Sequence, residues 1–258
     1  MVPVYGILRK TQAELHKYVV SRLEEMYPEA VINEPSFIFA QGDIPILLVA
    51  HMDTVFPDAT RKEMEIYYDQ RHKVMWSPDG LGTDDRAGVI LLLKILEAGY
   101  HPHVLFTHDE EIGGLGAIDF VFSHKRPNVD IRYMIELDRM GFDDCVFYSC
   151  DNQEFSDYIS SFGFAPSFGT FSDISILMPY MGVAGVNLSV GYLDEHTEGE
   201  HWHVDWANET YYKVVAMLSA PPEQKFKYIA TQKGYEGWNK TITSVVSQQY
   251  LPTQSSTK

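Results

Sequence analysis

The tightest constraint on the fold is a short run, "ILLVA" (residues 46–50), that is hydrophobic at every position and then stops at a histidine and an aspartate, His51 and Asp53. An uninterrupted apolar run of this length is the pattern of a strand covered on both faces, and such strands sit in the middle of mainly parallel or mixed sheets. The clearest helix follows it: "DDRAGVILLLKILEAGY" (84–100) has an acidic start and a glycine stop. A doubly covered strand followed by such a helix implies an α/β layer structure.

The rest of the chain keeps to this alternation. Thr11 and Glu14 form a capping-box pattern for a helix over 12–26, with Leu15, Val19, Leu23 and Met26 at helical spacing. "FIFA", "EIYY" and "KVMW" read as short strands between Gly, Pro and Asp turns. Further strands are predicted at 103–107, 131–137, "CVFYS" and "GVNLSV", and helices at "IGGLGAIDFVFSH", 153–162 and 207–219. The predicted fold is therefore three-layered, with a central mixed, mostly parallel sheet flanked by helices. Without an internal repeat or an obvious linker, residues 1–220 read as one domain. Residues 221–258 lose periodicity and read as a loosely attached extension, partly irregular or disordered.

Composition narrows the partners. At 258 residues and 45% hydrophobic, the chain can bury a sizeable core, and a formal net charge of -16 argues against nucleic acid or an anionic membrane surface. No run is long enough to span a bilayer and no secretory signal is evident, so the expected location is cytoplasmic, with Cys145 and Cys150 reduced.

In an open α/β sheet, ligands gather at the carboxyl ends of the strands. Five predicted strand ends or helix mouths carry a histidine or carboxylate there: His51 with Asp53, Asp84 with Asp85, Glu110 with Glu111, Asp138, and His196. Singly, each has an ordinary explanation, such as helix capping for the aspartate pair or a solvated helix start for the glutamates. Together, so many carboxylates would raise one another's pKa values unless a cation lay among them. Two histidines with several carboxylates are the mixed donors that suit zinc, and a carboxylate can bridge two ions.

The ordered series H-x-D, G-x-D-D-R-x-G, D-E-E-x-G, a later acidic residue and H-T-x-x-E resembles the co-catalytic di-zinc peptidase superfamily over roughly residues 45–218. The resemblance implies two divalent metal ions, zinc with cobalt or manganese as substitutes. His51 and Asp138 would be ligands of the first, Glu111 and His196 of the second, and Asp84 the bridge. It implies catalytic roles for Glu110, as general base, and for Asp53, as the carboxylate orienting His51. "GTFSDIS" (169–175) reads as a pocket-lining loop with Ser172 and Asp173 as substrate-contacting or supporting groups, and Tyr192 is a candidate of the same kind. Arg139, next to a ligand, is expected to point outward or to pair with Asp143 or Asp144.

Many relatives insert a lid or dimerisation domain, but the intervals from His51 to Asp84 and from Asp138 to His196 are too short for a domain of ~100 residues. The expected protein is a bare catalytic domain that cleaves an amide bond, an aminopeptidase-type exopeptidase on small peptides. A deacylase of N-acyl amino acids and a non-catalytic binding protein are the alternatives, and a homo-oligomer is compatible with an open site.

Overall fold

The computed structural model describes residues 2–231. The capping box forms as its residues dictate: the Glu14 N–H donates to the Thr11 hydroxyl and the Thr11 N–H donates to the Glu14 carboxylate. In chain order the first elements are α1 (Val4–Leu8), α2 (Gln12–Met26), β1 (Val31–Asn33), β2 (Phe37–Ala40), β3 (Ile44–His51), α3 (Asp58–Arg61), β4 (Tyr67–Asp69) and β5 (Val74–Trp76). The middle of the chain forms α4 (Thr83–Glu97), β6 (Pro102–Thr107), α5 (Leu115–Phe122), β7 (Tyr133–Arg139), β8 (Asp144–Val146) and α6 (Gln153–Ser160). It closes with β9 (Ala165–Pro166), α7 (Asp173–Met181), β10 (Gly185–Ser189), β11 (Tyr192–Leu193), β12 (His201–His203) and α8 (Val204–Ser219).

Eight strands form the main sheet in the order β1-β2-β6-β3-β7-β10-β8-β9. Its four central strands, β6, β3, β7 and β10, are parallel, with Val49 opposite both Leu105 and Glu136, and Glu136 opposite Asn187. β2 and β8 join this block antiparallel, which makes the sheet mixed and mostly parallel. Every residue of β3 from Ile46 to His51 is fully buried, as its uninterrupted apolar run requires. α4 packs on β3 and β7 with α1 and α8 against it, while α5 and α7 pack on each other and on the sheet. The crossovers β3-α4-β6 and β6-α5-β7 run in opposite directions along the sheet, so their common right hand puts α4 and α5 on opposite faces. Because the central strands are parallel, their carboxyl ends at His51, Thr107, Arg139 and Ser189 share one edge.

A second, antiparallel sheet, β11-β12-β5-β4, was half legible in the sequence: β4 and β5 fall on the predicted "EIYY" and "KVMW", whereas β11 and β12, two and three residues long, are too short to show a period of two. It is tied to the end of β10 through the Trp202 indole N–H, which donates to the Val190 carbonyl at 2.8 Å. A second difference concerns "GTFSDIS". Asp173 opens helix α7 there instead of lying in a loop, and Pro179 inside that helix is what obscured it.

The start of the C-terminal extension is more firmly held than its composition suggests. Phe226 is buried in a ring cluster with Tyr133, Phe155 and Tyr158, and its backbone N–H donates to Arg132 O. Isolated bridges pair Val183 with Lys227 and Cys150 with Ala230. The expectation for residues 232–258 falls outside the described residues. Both cysteines are buried and unpaired, and among the described residues no helix is long and apolar enough to cross a membrane.

Gly88 sets the approach of α4 to the sheet, since a Cβ there would overlap the Leu137 carbonyl oxygen and crowd the Asp85 carboxylate. Gly88→Ala should therefore destabilise the fold by about 1–3 kcal/mol through overpacking. Urea unfolding of the chelator-treated variant measures this, and an unchanged midpoint would show that α4 and β7 can separate freely.

Candidate metal centre

β3 ends in His51, whose imidazole is fully buried and held at both nitrogens. Its Nδ1 lies 3.1 Å from Asp53 Oδ1. The same carboxylate accepts the backbone N–H groups of Glu110 at 3.2 Å and Glu111 at 3.1 Å. One side chain thus fixes a ring on β3 and the turn that follows β6. Burial pushes the Asp53 carboxyl up, but His51 and the two N–H donors outweigh it and hold it at about 2.

On its other side, His51 Nε2 lies 3.1 Å from Asp84 Oδ1 and 3.3 Å from Asp138 Oδ1. The second oxygen of Asp84 lies 3.0 Å from His196 Nε2, and the same nitrogen is 3.0 Å from Glu111 Oε2. The Asp84 carboxylate therefore stands between two imidazoles with one oxygen toward each. Asp138 completes the group on the His51 side and Glu111 the group on the His196 side. His196 sits in the β11–β12 loop at φ 64, a left-handed conformation, and its side chain is half exposed.

Asp85 is close enough to His51 and Asp138 to form an alternative ligand trio with them, as close as the trio of His51, Asp84 and Glu111. Its oxygens are already engaged: Oδ2 accepts the His51 N–H at 3.2 Å and Oδ1 accepts the Gly88 N–H at 2.9 Å. Asp85 is an internal anchor between β3 and α4, and Asp84 is the residue that faces both imidazoles.

Three further candidates from the sequence separate in role. Ser172 donates toward Glu136 and lies 3.2 Å from Asp138 Oδ2. The Tyr192 hydroxyl donates to the Asp138 carbonyl at 2.8 Å. Asp173 does not join them. It accepts from Thr107 Oγ1, and its Oδ1 has no hydrogen-bond partner among the described residues. Sequence reasoning missed Glu136 and Asn187, and gave no role to Glu200, the closing residue of the H-T-x-x-E motif. Asn187 accepts the Asp138 N–H at 3.0 Å, and Glu200 accepts from the Thr83 N–H and hydroxyl, just before Asp84. Glu136 lies two residues before Asp138 on one strand, so the strand period of two could have placed it on the same face. Arg139 lies 3.6 Å from Asp144 through Nη2. His103, expected to be structural, bonds Gly42 N and Asp130 O through its two ring nitrogens.

The electrostatics record the crowding. Burial, reinforced by Asp138, Asp173 and Glu136 against the opposing His51, pushes Glu110 up to about 10. Burial and then Asp84 push Glu111 to about 7, and the same two causes raise Asp138. Burial also lifts Asp173 and Glu200 to about 7. Its hydrogen bond to Asp84 raises His196 to about 9, while burial opposes the charged form of His51 and is outweighed by Asp138 and Asp53. Asp84 lines a cleft of about 170 Å³ together with Glu110, Asp138 and His196. A larger apolar cavity of about 600 Å³ between α4, α8 and the small sheet shares no lining residue with it.

Residues 39–205 match the family model described as Peptidase family M28. No curated protein sequence gives a significant match. Among solved structures, the chain is similar to the aminopeptidase PepT of Bacillus cereus, with 15% identity, a TM-score of 0.63, and coverage of 83% of this chain and 96% of that one. A tripeptidase of Staphylococcus aureus gives 14% identity and 0.63, with 83% and 95% covered. The TET1 peptidase of Pyrococcus horikoshii, described as able to assemble into a tetrahedron or a large octahedral shell, gives 13% and 0.59, with 81% and 94% covered. At these identities the structural likeness shows the shared fold, whereas the family model spans more than half of the chain, and the protein belongs to peptidase family M28.

Proposed function

We propose that this chain is a di-metal exopeptidase of aminopeptidase type acting on small peptides. One observation carries the reading: Asp84 stands between His51 and His196, and one further carboxylate completes each side. The donor set fits a pair of divalent ions. Two ligand atoms on a tetrahedral zinc stand about 3.4 Å apart, close to the 3.0–3.3 Å between these nitrogens and oxygens. The Glu111 Oε1 atom is also buried without a hydrogen-bond partner among the described residues, a cost that a cation would offset.

His51, Asp84 and Asp138 would hold one ion, and Asp84, Glu111 and His196 the other, with zinc the first choice and cobalt or manganese as substitutes. When bound, such ions supply Lewis-acid polarisation of the scissile carbonyl and lower the pKa of water. Burial and metal-free crowding hold the Glu110 carboxyl protonated, and bound cations would offset that crowding; the Glu110 carboxylate is then the general base, which takes a proton from the attacking water and returns it to the leaving amine. Asp53 holds the His51 ring and, through two backbone N–H groups, the turn that aims Glu110. A cleft of about 170 Å³ suits one residue of a peptide end better than an extended chain. Membership of a peptidase family favours this reading over a deacylase, and Glu110 in the cleft favours it over a non-catalytic scaffold, which has no use for a base.

Assembly of the Pyrococcus horikoshii relative into shells supports homo-oligomerisation here, and two buried unpaired cysteines support a cytoplasmic location.

The chelated protein should lose stability as pH rises. Glu110, Glu111, Asp173 and Glu200 have folded pKa values above the ordinary ~4 of carboxylates, so their contribution is full below that value. It disappears as pH passes about 7 for three of them and about 10 for Glu110, and His196 adds a loss near 9 in the same direction. The Tm of the chelated protein should thus fall between about pH 5 and pH 9, and zinc should flatten the slope. A Tm that rose with pH in chelator would contradict the charge assignment. Glu110→Gln should keep the fold and two metal ions per chain by elemental analysis while kcat falls on the order of 10²–10⁴-fold, and full turnover in that variant would remove Glu110 as base.

A further inference from the structure

The cleft beside the ligand cluster is acidic on most sides, with Glu110, Asp138 and Glu195 in its wall, yet one arginine also lines it. Arg139, at the end of β7, is the only Lys or Arg among its described lining residues. The fold offsets this charge with one long ion pair, to Asp144. The nearest carboxylate, Asp144, is 3.6 Å from Nη2, well beyond the ~2.7–2.9 Å of a charge-assisted hydrogen bond. The Arg139 Nε atom is buried and has no hydrogen-bond partner among the described residues. The side chain is 22% exposed, so it is part of the wall and not a solvated tip.

A guanidinium held by one long ion pair at the wall of a confined site matches a planar, doubly accepting anion. On a peptide that anion is a carboxylate. The surrounding charge sharpens the point, because a chain of formal net charge -16 repels anionic substrates at long range and needs a local cation to hold one. The volume of about 170 Å³ limits the distance: the carboxylate must lie on the cleaved residue or on the one after it.

We propose that Arg139 is a specificity-determining residue that binds a substrate carboxylate, an inference that rests on the peptidase reading of the neighbouring centre. The carboxylate comes either from the C-terminus of a dipeptide or from an acidic side chain of the N-terminal residue. Arg139 acts on binding and not on the bond-breaking step, so its effect falls mainly on KM.

The test compares zinc-loaded wild type, Arg139→Met and Asp144→Asn on two matched pairs. Leucylglycine against leucylglycinamide reports the C-terminal source, and glutamic acid α-amide against glutamine α-amide reports the side-chain source. In wild type, the acid of one pair should have a kcat/KM at least tenfold above its neutral partner. Arg139→Met should bring that ratio to within threefold of one, mainly through KM, and Asp144→Asn, which removes the competing carboxylate, should raise it. Ratios near one for both pairs in wild type, or equal losses on acid and neutral substrates in Arg139→Met, overturn the proposal. Calorimetric binding of the same compounds to zinc-loaded Glu110→Gln separates the two readings. Discrimination in binding without any wild-type turnover sinks the peptidase reading and upholds Arg139, whereas turnover without discrimination does the reverse.

Discussion

The structure is organised around the mutual repulsion of carboxylates gathered at one buried edge of a sheet. Two like charges about 4 Å apart cost on the order of 4 kcal/mol at the effective dielectric of a protein, and Asp84, Asp85, Asp138, Glu110 and Glu136 all lie in that region with little or no exposure. A flexible scaffold would relax by moving them apart. Parallel strands cannot, because each end is fixed by its neighbours' ladders on both sides and by a core that fills the space behind it. Rigidity of β3 and β7 is what holds repelling groups together until something positive offsets the repulsion.

The chain handles the crowding by dividing its acidic groups into two kinds. Asp53 and Asp85 are compensated internally by backbone N–H groups, which lie on β3, on α4 and in the turn after β6. Asp84, Asp138 and Glu111 meet imidazole Nε2 atoms instead, whereas the one imidazole contact of Asp53 is to His51 Nδ1. Two sequence doublets are split by this division. Of Asp84 and Asp85, one faces the imidazoles and the other fastens β3 to α4. Of Glu110 and Glu111, one lines the cleft and the other faces His196.

Much of this was readable in advance because the signals were long or repeated. The uninterrupted apolar run of β3, the capped helix α2 and the long helix α4 are each decided by local pattern, and the polar residues at their ends follow from where parallel strands stop. What stayed hidden was short or tertiary. Strands β11 and β12 have too few residues to show alternation, although their loop carries His196. α7 contains Pro179, and its first residue, Asp173, bonds Thr107 while its charge adds to the crowding around Glu110. Local pattern alone does not distinguish Asp84 from Asp85: the motif resemblance singled out Asp84, and the folded backbone shows why, since Asp85 meets the Gly88 N–H. Phe226 packs because a cluster of rings from β7 and α6 leaves room for it, and nothing local announces that cluster.

The two halves of the centre are consequently built to different tolerances. His51 and Asp138 end adjacent central strands, and Asp138 is further held by Asn187 and by the Tyr192 hydroxyl. Glu111 and His196 come from a turn and from a loop between two-residue and three-residue strands, and the His196 side chain is half exposed. Ordering a loop side chain costs conformational entropy that a strand-end side chain has already lost during folding. The His51 half is therefore preorganised by the sheet itself, while the His196 half depends on the small second sheet, through the Trp202 anchor to Val190, to keep its imidazole opposite Asp84. That sheet, only half legible in the sequence, also reaches the other half, because Glu200 beside β12 holds Thr83 just before Asp84.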